Sequence, residues 1–522
     1  MAGGVALLVG AALIAVVAPR ATPATSAIAV PPGITPPAAP GSPGVTVAGV
    51  RCGPLQRQLP WSAYAPVCLP AWHGNNGGAT ANGVTRTTIT LTYRMATTDI
   101  LSLLYAEVPQ TVVGTNAEAV HTMQSYIDTF NHYFELYGRK VVLRPYVGQG
   151  DFISEDQGSG LAQAQEDALT VADNLHGFAD MSLIDSSVIY GDALQQAKVP
   201  VFGLYLQSAG WYRRGAPYQY TVGPDCTASA TALADILGSP GMANAPAAYA
   251  GPALRDHRRV YGVVYPDNPQ AVRCEQLLAQ RMAAAGHPIT TAVGYEFNVA
   301  TLQTAAQNAI GQLQSSGVTT VICASCDPVS PIYFLRAANQ AGYSPEFVVQ
   351  SYFAGGTSSM DGFVQNIVAR SGAASEAGGI LALGSGGQVT RHSEALRAYA
   401  MANGGSTSGI LPSYPWAYDS LLLFFDLLQA AGPDLTPATL HRAMSDVAEL
   451  PPSAAGGSLG PWSFGTNRPD PSAGFQLLRW NPGATSSENG RQGTFVACYA
   501  GRVFSYTVPG GGVPAHRSPS CP

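Results

Sequence analysis

The sequence predicts an α/β protein with two doubly wound units, each a parallel sheet covered by helices on both faces. The first observation is a βα repeat between Arg258 and Asp327, where apolar strands alternate with amphipathic helices. The second is that the same alternation fills the chain from Thr87 to Tyr205. Strands joined through helices run parallel, and such a sheet opens its ligand crevice at the carboxyl ends of its strands.

Within the repeat, the apolar run 260–265 predicts a buried strand, and Asn268 is placed to cap a helix that begins at Pro269. A strand at 289–295, a helix through Leu302 and Leu313, and a strand at 318–323 follow. The carboxyl ends of the first and last strands therefore place residues 266–268 and 324–327 on one rim.

The rest of the chain continues this pattern around an aromatic, irregular stretch at 211–221, which is typical of a crossing between domains. From residue 459 onward, Gly-rich turns separate short aromatic strands. The further predicted strands are 87–93, 141–146, 178–184, 199–205, 347–352, 379–383, 475–480 and 494–499, and the further helices are 116–137, 161–174, 188–197, 416–431 and one beginning at Thr436 and Pro437.

Composition narrows the function classes. At 522 residues, 46% hydrophobic and 11% charged, the chain is long enough for two or more domains with large cores. The net charge of −6 comes without a basic block, which excludes a nucleic-acid footprint. The nine histidines, among them His73, His132 and His287, show no metal spacing, so we expect no metal and no cofactor.

The N-terminus predicts export. Residues 5–18 are apolar and uncharged, which fits a signal peptide but falls short of the roughly 20 residues that span a bilayer. Small residues at 27–29 offer a cleavage site, yet no basic residue precedes the apolar run, so residues 1–29 are either cleaved or remain as a weak anchor. The Pro- and Gly-rich stretch 19–50 reads as a flexible tether.

Eight cysteines in an exported chain predict disulfides. The Cys323-x-x-Cys326 motif at a strand end has two interpretations, a structural disulfide, which we favour, and a redox dithiol; a metal site would need a second such pair. The preferred pairs join sequence neighbours or adjacent elements: Cys52 with Cys68, Cys226 with Cys274, Cys323 with Cys326, and Cys498 with Cys521.

A series of short segments carries a family resemblance through its order and spacing: 178–187, 198–203, 260–268, 317–323, 340–343, 418–421 and 475–480. In this order the chain resembles the type I periplasmic binding proteins, specifically the branched-chain amino acid (Leu/Ile/Val) binding proteins of ABC transporters. The resemblance covers about residues 84–506. It implies two Rossmann-like lobes joined by a three-stranded hinge, which close around a ligand held between them.

The resemblance also implies a division of the chain, with crossings near 205–212, 343–347 and 450–460. Residues 84–208 and 345–450 form the first lobe in this division, and residues 209–344 and 451–506 form the second. Residues 30–83 are a tether and a disulfide-containing extension, which packs across a lobe or contacts an envelope partner, and 507–522 are a tail.

The ligand contacts implied by the family are hydroxyls, amides and backbone N–H groups at strand and helix ends, and each could instead be a helix cap. In the first lobe they fall on Ser186, Ser187, Tyr205, Gln207 and Ser208. In the second lobe they fall on Asn268, Asp327, Ser351 and Tyr352.

Two departures from the family bear on the ligand. Amino-acid binders carry an acidic residue after the strand equivalent to 347–350, and this chain has Ser351 and Tyr352 there. The family's tyrosine in the 325–327 loop is replaced at Cys326 or a neighbour, and Asp327 supplies a charge only if it faces the cleft. The resemblance therefore leaves open an amino-acid-like ligand and another small polar ligand with hydroxyl or amide groups.

The function expected from the resemblance is an extracytoplasmic solute-binding protein, a monomer or weak dimer that delivers its ligand to the membrane permease of an ABC importer. The alternative is an envelope ligand sensor or partner-binding scaffold with the same fold. An enzyme is not expected, because residues 384–387 lack a nucleophile elbow and the chain has neither a P-loop nor a dinucleotide fingerprint.

Overall fold

A computed structural model describes residues 31–516 except 182, 184, 204–206, 328, 351–360, 372–378, 385–391, 446, 448–459, 464–471 and 507. The strands are β1 Gly44–Val45, β2 Arg51–Cys52, β3 Thr88–Met95, β4 Lys140–Val147, β5 Ala179–Met181, β6 Val201–Phe202, β7 Tyr261–Pro266, β8 Ile289–Tyr295, β9 Thr320–Cys323, β10 Glu346–Gln350, β11 Ile380–Gly384, β12 Gly474–Thr485, β13 Gln492–Ala497 and β14 Phe504–Ser505.

The helices follow the strands in alternation over most of the chain. A π-helical turn, Thr170–Asn174, continues α5. The α-helices are α1 Thr98–Glu107, α2 Gln110–Val113, α3 Asn116–Tyr133, α4 Phe152–Asp156, α5 Leu161–Leu169, α6 Val188–Gln196, α7 Ala209–Gly215, α8 Cys226–Leu237, α9 Pro240–Ala243, α10 Pro269–Ala284, α11 Leu302–Ser315, α12 Ser330–Gln340, α13 Asp361–Ser371, α14 Glu394–Ala402, α15 Tyr414–Ala431 and α16 Pro437–Ala443.

Two sheets confirm the predicted α/β class. The first unit contains a four-stranded parallel sheet in the order β4-β3-β5-β6. The second unit contains an eight-stranded sheet in the order β13-β12-β11-β10-β9-β7-β8, with β14 beside β12. Its strands from β7 to β11 are parallel, and β12 and β13 extend it as antiparallel strands. The inner parallel strands β3, β7 and β9 are largely buried, as expected for sheets covered on both faces, whereas the edge strands β4 and β8 expose alternate residues.

Local signals fix where several helices begin. Thr115 and Glu118 form a capping box at the start of α3, and Thr436 caps α16 ahead of Pro437 as predicted. The α15 helix is buried almost throughout and packs on α3 in the core of the first unit. Such a helix needs no polar face, which explains its apolar sequence.

The predicted division into lobes needs correcting in two places. Residues 345–450 are predicted in the first lobe, but β10 and β11 pair with β9 and β12 in the second sheet. Only from α14 onward does this segment pack on α3. Residues 209–220 are predicted in the second lobe, yet Gln219 bridges to Val201 and the Trp211 indole donates to Asp192 at 3.0 Å. Sheet membership depends on long-range pairing, which local patterns do not encode.

The N-terminal extension packs on the first unit, one of its two predicted roles. Trp61 meets the Tyr133 ring edge-to-face at 4.8 Å, and the Trp72 backbone N–H donates to Glu135 at 2.9 Å. The Cys52–Cys68 disulfide closes the extension. Among the described residues, no helix combines the length and the apolar character that crossing a bilayer requires. The predicted signal segment lies outside the described residues.

Candidate functional site

A cleft of about 790 Å³ lies between the two units and is lined by both. The first unit contributes α4 and the turn after it, the N-terminus of α6 and the start of α15. The second unit contributes the β7–α10 junction, the residues after β8, the loop between β9 and α12, and α13. The rim predicted at 266–268 and 324–327 lines the cleft through Pro266, Asp267, Asn268, Ser325 and Asp327.

The first turn of α6 forms part of the first-unit wall. Ser186 and Ser187 line the cleft as predicted, followed by Val188 and Ile189. The Ser187 hydroxyl accepts a hydrogen bond from the Tyr190 backbone N–H at 3.0 Å, so Ser187 also caps the helix. Ser187 therefore caps α6 and lines the cleft, and its contact with a ligand stays a prediction. The N–H groups of Val188 and Ile189, which precede Tyr190 in this turn, have no acceptor within the helix and are suited to an oxygen of a ligand.

The buried side chain of Arg94 stabilises the first-unit wall of the cleft from its core side. Arg94 in β3 forms two parallel hydrogen bonds with Glu155 of α4, with Nη1–Oε1 at 2.8 Å and Nη2–Oε2 at 3.0 Å. It also approaches Asp167 at 3.3 Å and Asp185 at 3.2 Å, and all four side chains are buried. Glu155 in turn accepts a hydrogen bond from the Ser187 hydroxyl. The network connects α4 to α6 and so holds two parts of the cleft wall together.

Burial raises the pKa of Asp185 to about 7, although the nearby Arg94 charge lowers it. The neighbouring Asp156 side chain, at the end of α4, lines the cleft. Its pKa is raised to about 8. The largest cause is loss of water around the carboxyl group within the cleft, followed by the negative charges of Asp327 and Glu155, with smaller effects of Asp151 and Asp185. The cleft therefore holds carboxyl groups that resist ionisation in one another's presence.

On the second-unit wall, Asn268 caps α10 as predicted. Its Oδ1 accepts from the backbone N–H groups of Gln270 at 3.1 Å and Ala271 at 3.0 Å. Asp327 faces the cleft, which is the condition set for it to supply a charge. Its Oδ1 accepts from the N–H groups of Val329 and Ser330, both at 2.8 Å.

The other carboxylate oxygen of Asp327 accepts from the Tyr295 hydroxyl at 3.1 Å and from the Ser330 hydroxyl. Burial raises the pKa of Asp327, and these hydrogen bonds partly offset the increase. Asp327 therefore organises the turn before α12 and brings a carboxyl group to the cleft, and its contact with a ligand stays a prediction.

The Cys323–Cys326 pair forms the structural disulfide predicted for this loop. Both cysteines are almost fully buried, and Ser325 between them adopts a positive φ of 52°. The disulfide thus holds the rim residues Ser325 and Asp327 in a fixed turn. The pair Cys226–Cys274 is also confirmed, whereas the pair of Cys498 with Cys521 stays a prediction because Cys521 lies outside the described residues.

The remaining predicted ligand residues divide into one that lines the cleft, one that lies behind its lining, and three outside the described residues. Gln207 lines the cleft. Ser208 lies behind it, where its hydroxyl accepts from the Trp211 backbone N–H at 3.2 Å and donates to Gln270 Oε1 at 2.7 Å. Ser208 therefore connects α7 to α10. Tyr205, Ser351 and Tyr352 lie outside the described residues, and their proposed contacts stay predictions.

Sequence reasoning missed the α4 wall and most of the aromatic lining. Glu155 and Asp156 were not predicted because α4 has only five residues, too few to show the spacing of apolar residues that marks a helix. Their position directly after β4, at the carboxyl end of a parallel strand, was the signal available. Phe297 follows β8 in the same way, and Trp416, predicted as the start of a core helix, also lines the cleft.

Comparison with known proteins identifies related sequences and folds. The model of the family described as "Periplasmic binding protein" matches residues 113–487. No curated protein sequence matches the chain significantly.

Solved structures similar to the chain include a branched-chain amino acid ABC transporter protein from Thermus thermophilus with bound valine, with 13% identity over 79% of this chain and 95% of that one and a TM-score of 0.53. A leucine-, isoleucine-, valine-, threonine- and alanine-binding protein from Brucella ovis shares 14% identity over 82% and 97%, with a TM-score of 0.53. A solute-binding protein from R. palustris in complex with 4-hydroxybenzoate shares 14% over 78% and 95%, also with a TM-score of 0.53.

Proposed function

The chain belongs to the periplasmic binding protein family, and from this premise we propose that it captures a small polar ligand in the cleft between its two units and delivers it to an ABC-type importer. The observation that carries the proposal is the cleft itself, because its walls come from both units. A ligand that contacts both walls favours a closed arrangement over an open one, which is how a two-lobed binding protein signals that it is loaded.

The residues proposed to hold the ligand are those of the predicted set that line the cleft: Ser186, Ser187, Gln207, Asn268 and Asp327. To these we add Asp156 and the first-turn N–H groups of α6. Tyr205, Ser351 and Tyr352 remain proposed contacts by their position in the family pattern. We propose no catalytic role for any of them.

The location and partners proposed follow from the family. Periplasmic binding proteins act outside the cytoplasm, and we propose that residues 1–29 direct export and are then cleaved or retained as a weak anchor. The partner proposed is a membrane permease. The structures with valine and with 4-hydroxybenzoate share the fold at low identity, so the ligand of this chain is argued from its own cleft.

A thermal-melt screen of oxidised, folded protein against a broad panel of small metabolites tests the proposal, since a ligand that binds only the native state raises the melting temperature. We expect at least one hit, accompanied by a smaller radius of gyration in small-angle X-ray scattering. A panel without any hit would refute ligand capture. A hit without binding of the loaded protein to a permease would favour the sensor role over transport.

A further inference from the structure

Within the part of the chain that the structure describes, the charged residues that line the cleft are all acidic. Among the described residues, the lining contains no Lys, Arg or His. Both units contribute three acids each to this lining, namely Glu155, Asp156 and Asp192 from the first and Asp267, Glu296 and Asp327 from the second. The cleft thus has the same sign of charge on both walls.

These acids differ in how well the protein compensates them. Glu155 is paired with Arg94, and Asp192 accepts hydrogen bonds from Trp211 and Gln219. In contrast, the side chains of Asp156, Asp267 and Glu296 form no hydrogen bond or ion pair with any described residue, and all three are exposed to the cleft or to solvent. None of the three thus has a described protein partner for its carboxylate when it is ionised, and a positive charge placed nearby favours the ionised form of Asp156.

Like charges on opposing walls also affect closure. Asp156 and Asp327 lie on different units, and the charge of Asp327 contributes to the raised pKa of Asp156. Bringing the units together strengthens this repulsion as water leaves the cleft. A ligand with a net positive charge reduces the repulsion most, a zwitterion reduces it less because its carboxylate opposes its ammonium group, and a neutral ligand leaves it in place.

The uncharged residues of the lining indicate the chemistry of the rest of the ligand. Phe152, Phe297, Phe363 and Trp416 line the cleft together with several valines. Aromatic faces attract organic cations as well as apolar groups. The volume of about 790 Å³ lies within the range of sites for small organic molecules.

We infer that the ligand of this cleft is an organic cation, an apolar body that carries one or more ammonium groups and no carboxylate to cancel their charge. The inference rests on the proposed ligand-binding function and specifies its ligand class. The positive charge is placed between the acids of the two walls, where it draws the units together, and any uncharged oxygen of the ligand is placed at the first turn of α6.

The test uses the oxidised full-length protein and probes that share one body and differ in charge. One series is phenethylamine, 2-phenylethanol, phenylacetate and phenylalanine, and a second is 1,5-diaminopentane with 1,5-pentanediol. Melting shifts are measured first, and affinity is then titrated through tryptophan fluorescence, since Trp416 lines the cleft. We expect the amines to raise the melting temperature more than their neutral, anionic and zwitterionic counterparts, and added salt to weaken their binding.

A matched pair of variants locates the effect. Asp156→Asn should weaken amine binding about fivefold and leave binding of the neutral alcohols unchanged. Asp173→Asn, an exposed acid on the same unit outside the cleft lining, should change neither. Asp327→Asn, which keeps an oxygen acceptor for the turn before α12, should also weaken amine binding.

The outcomes separate this inference from the proposed function. Binding of only neutral, anionic or zwitterionic compounds would overturn the cationic ligand and leave ligand capture standing. Equal loss of amine and alcohol binding in Asp156→Asn would overturn the charge role of Asp156. The absence of any shift across all charge classes of the panel would overturn both.

Discussion

The Arg94 guanidinium forms a two-pronged ion pair with the Glu155 carboxylate, with nitrogen–oxygen distances of 2.8 and 3.0 Å, and both side chains are shielded from solvent. One residue belongs to the first strand of the first sheet and the other to the cleft wall. The pair therefore couples the core of the first unit to the geometry of the binding site. The ring of Tyr190 lies 3.7 Å from the same guanidinium and anchors α6 to it.

The first prediction concerns this arginine. Arg94→Ala leaves the buried acids Glu155, Asp167 and Asp185 without their counter-charge, so we expect a loss of roughly 3–5 kcal/mol in unfolding free energy. Denaturant unfolding followed by circular dichroism measures it. Arg144→Ala, at an exposed position of β4, is the control and should cost little. Equal losses in the two variants would contradict the proposed network.

The second prediction separates capping from ligand contact at Asn268. Asn268→Ala removes the acceptor for two backbone N–H groups and should lower stability by about 1 kcal/mol. Asn268→Asp keeps an acceptor at the same place and should retain wild-type stability in a thermal melt. If Asn268→Asp were as unstable as Asn268→Ala, the hydrogen bonds of the cap would not explain the loss.

The third prediction distinguishes a structural disulfide from a redox dithiol at Cys323 and Cys326. Both cysteines are joined in a disulfide and nearly inaccessible to solvent. We expect a maleimide to label neither in the native protein, and both after denaturation and reduction. Mass spectrometry of the peptides reports the labelling. Modification of either cysteine in native, unreduced protein would support the redox interpretation instead.

The sequence predicted well what short-range chemistry decides. The start of α10 was predicted because the Asn268 side-chain oxygen can cap a helix and Pro269, which has no N–H, suits the first helical position. Both ends of the strand Ile289–Tyr295 were also predicted. The placement of Asp327 on the cleft followed from the rule for carboxyl ends of parallel strands, and that of Ser187 followed from the family resemblance.

Features that depend on residues far apart in the sequence could not be predicted from local patterns. The strands β10 and β11 have no local mark of the sheet that they join, and their assignment to the first lobe was wrong. The acidic character of the cleft arises from residues as far apart in sequence as Asp156 and Asp327, which only the fold brings together. Their significance lies in their mutual proximity and not in any motif.

The last prediction concerns buried carboxyl groups away from the cleft. Glu394, at the start of α14, is buried, and burial raises its pKa from 4.5 to about 7. Burial also raises the pKa values of Asp419 and Asp426 in α15 well above their usual range. Between pH 4.5 and 7 the unfolded chain has released the Glu394 proton while the folded protein still binds it.

Because the folded state binds more protons in this range, stability falls as the pH rises, by up to roughly 1.4 kcal/mol per pH unit for each such group. The contribution is constant below pH 4.5, where both states are protonated, and again above pH 7, where both are ionised. We therefore expect the melting temperature of the ligand-free protein to decrease from pH 5 to pH 8. Glu394→Gln should reduce that decrease, whereas Glu166→Gln, at an exposed position of α5, should not. A melting temperature that rises across this range, or an identical slope in both variants, would show that Glu394 is already ionised in the folded protein.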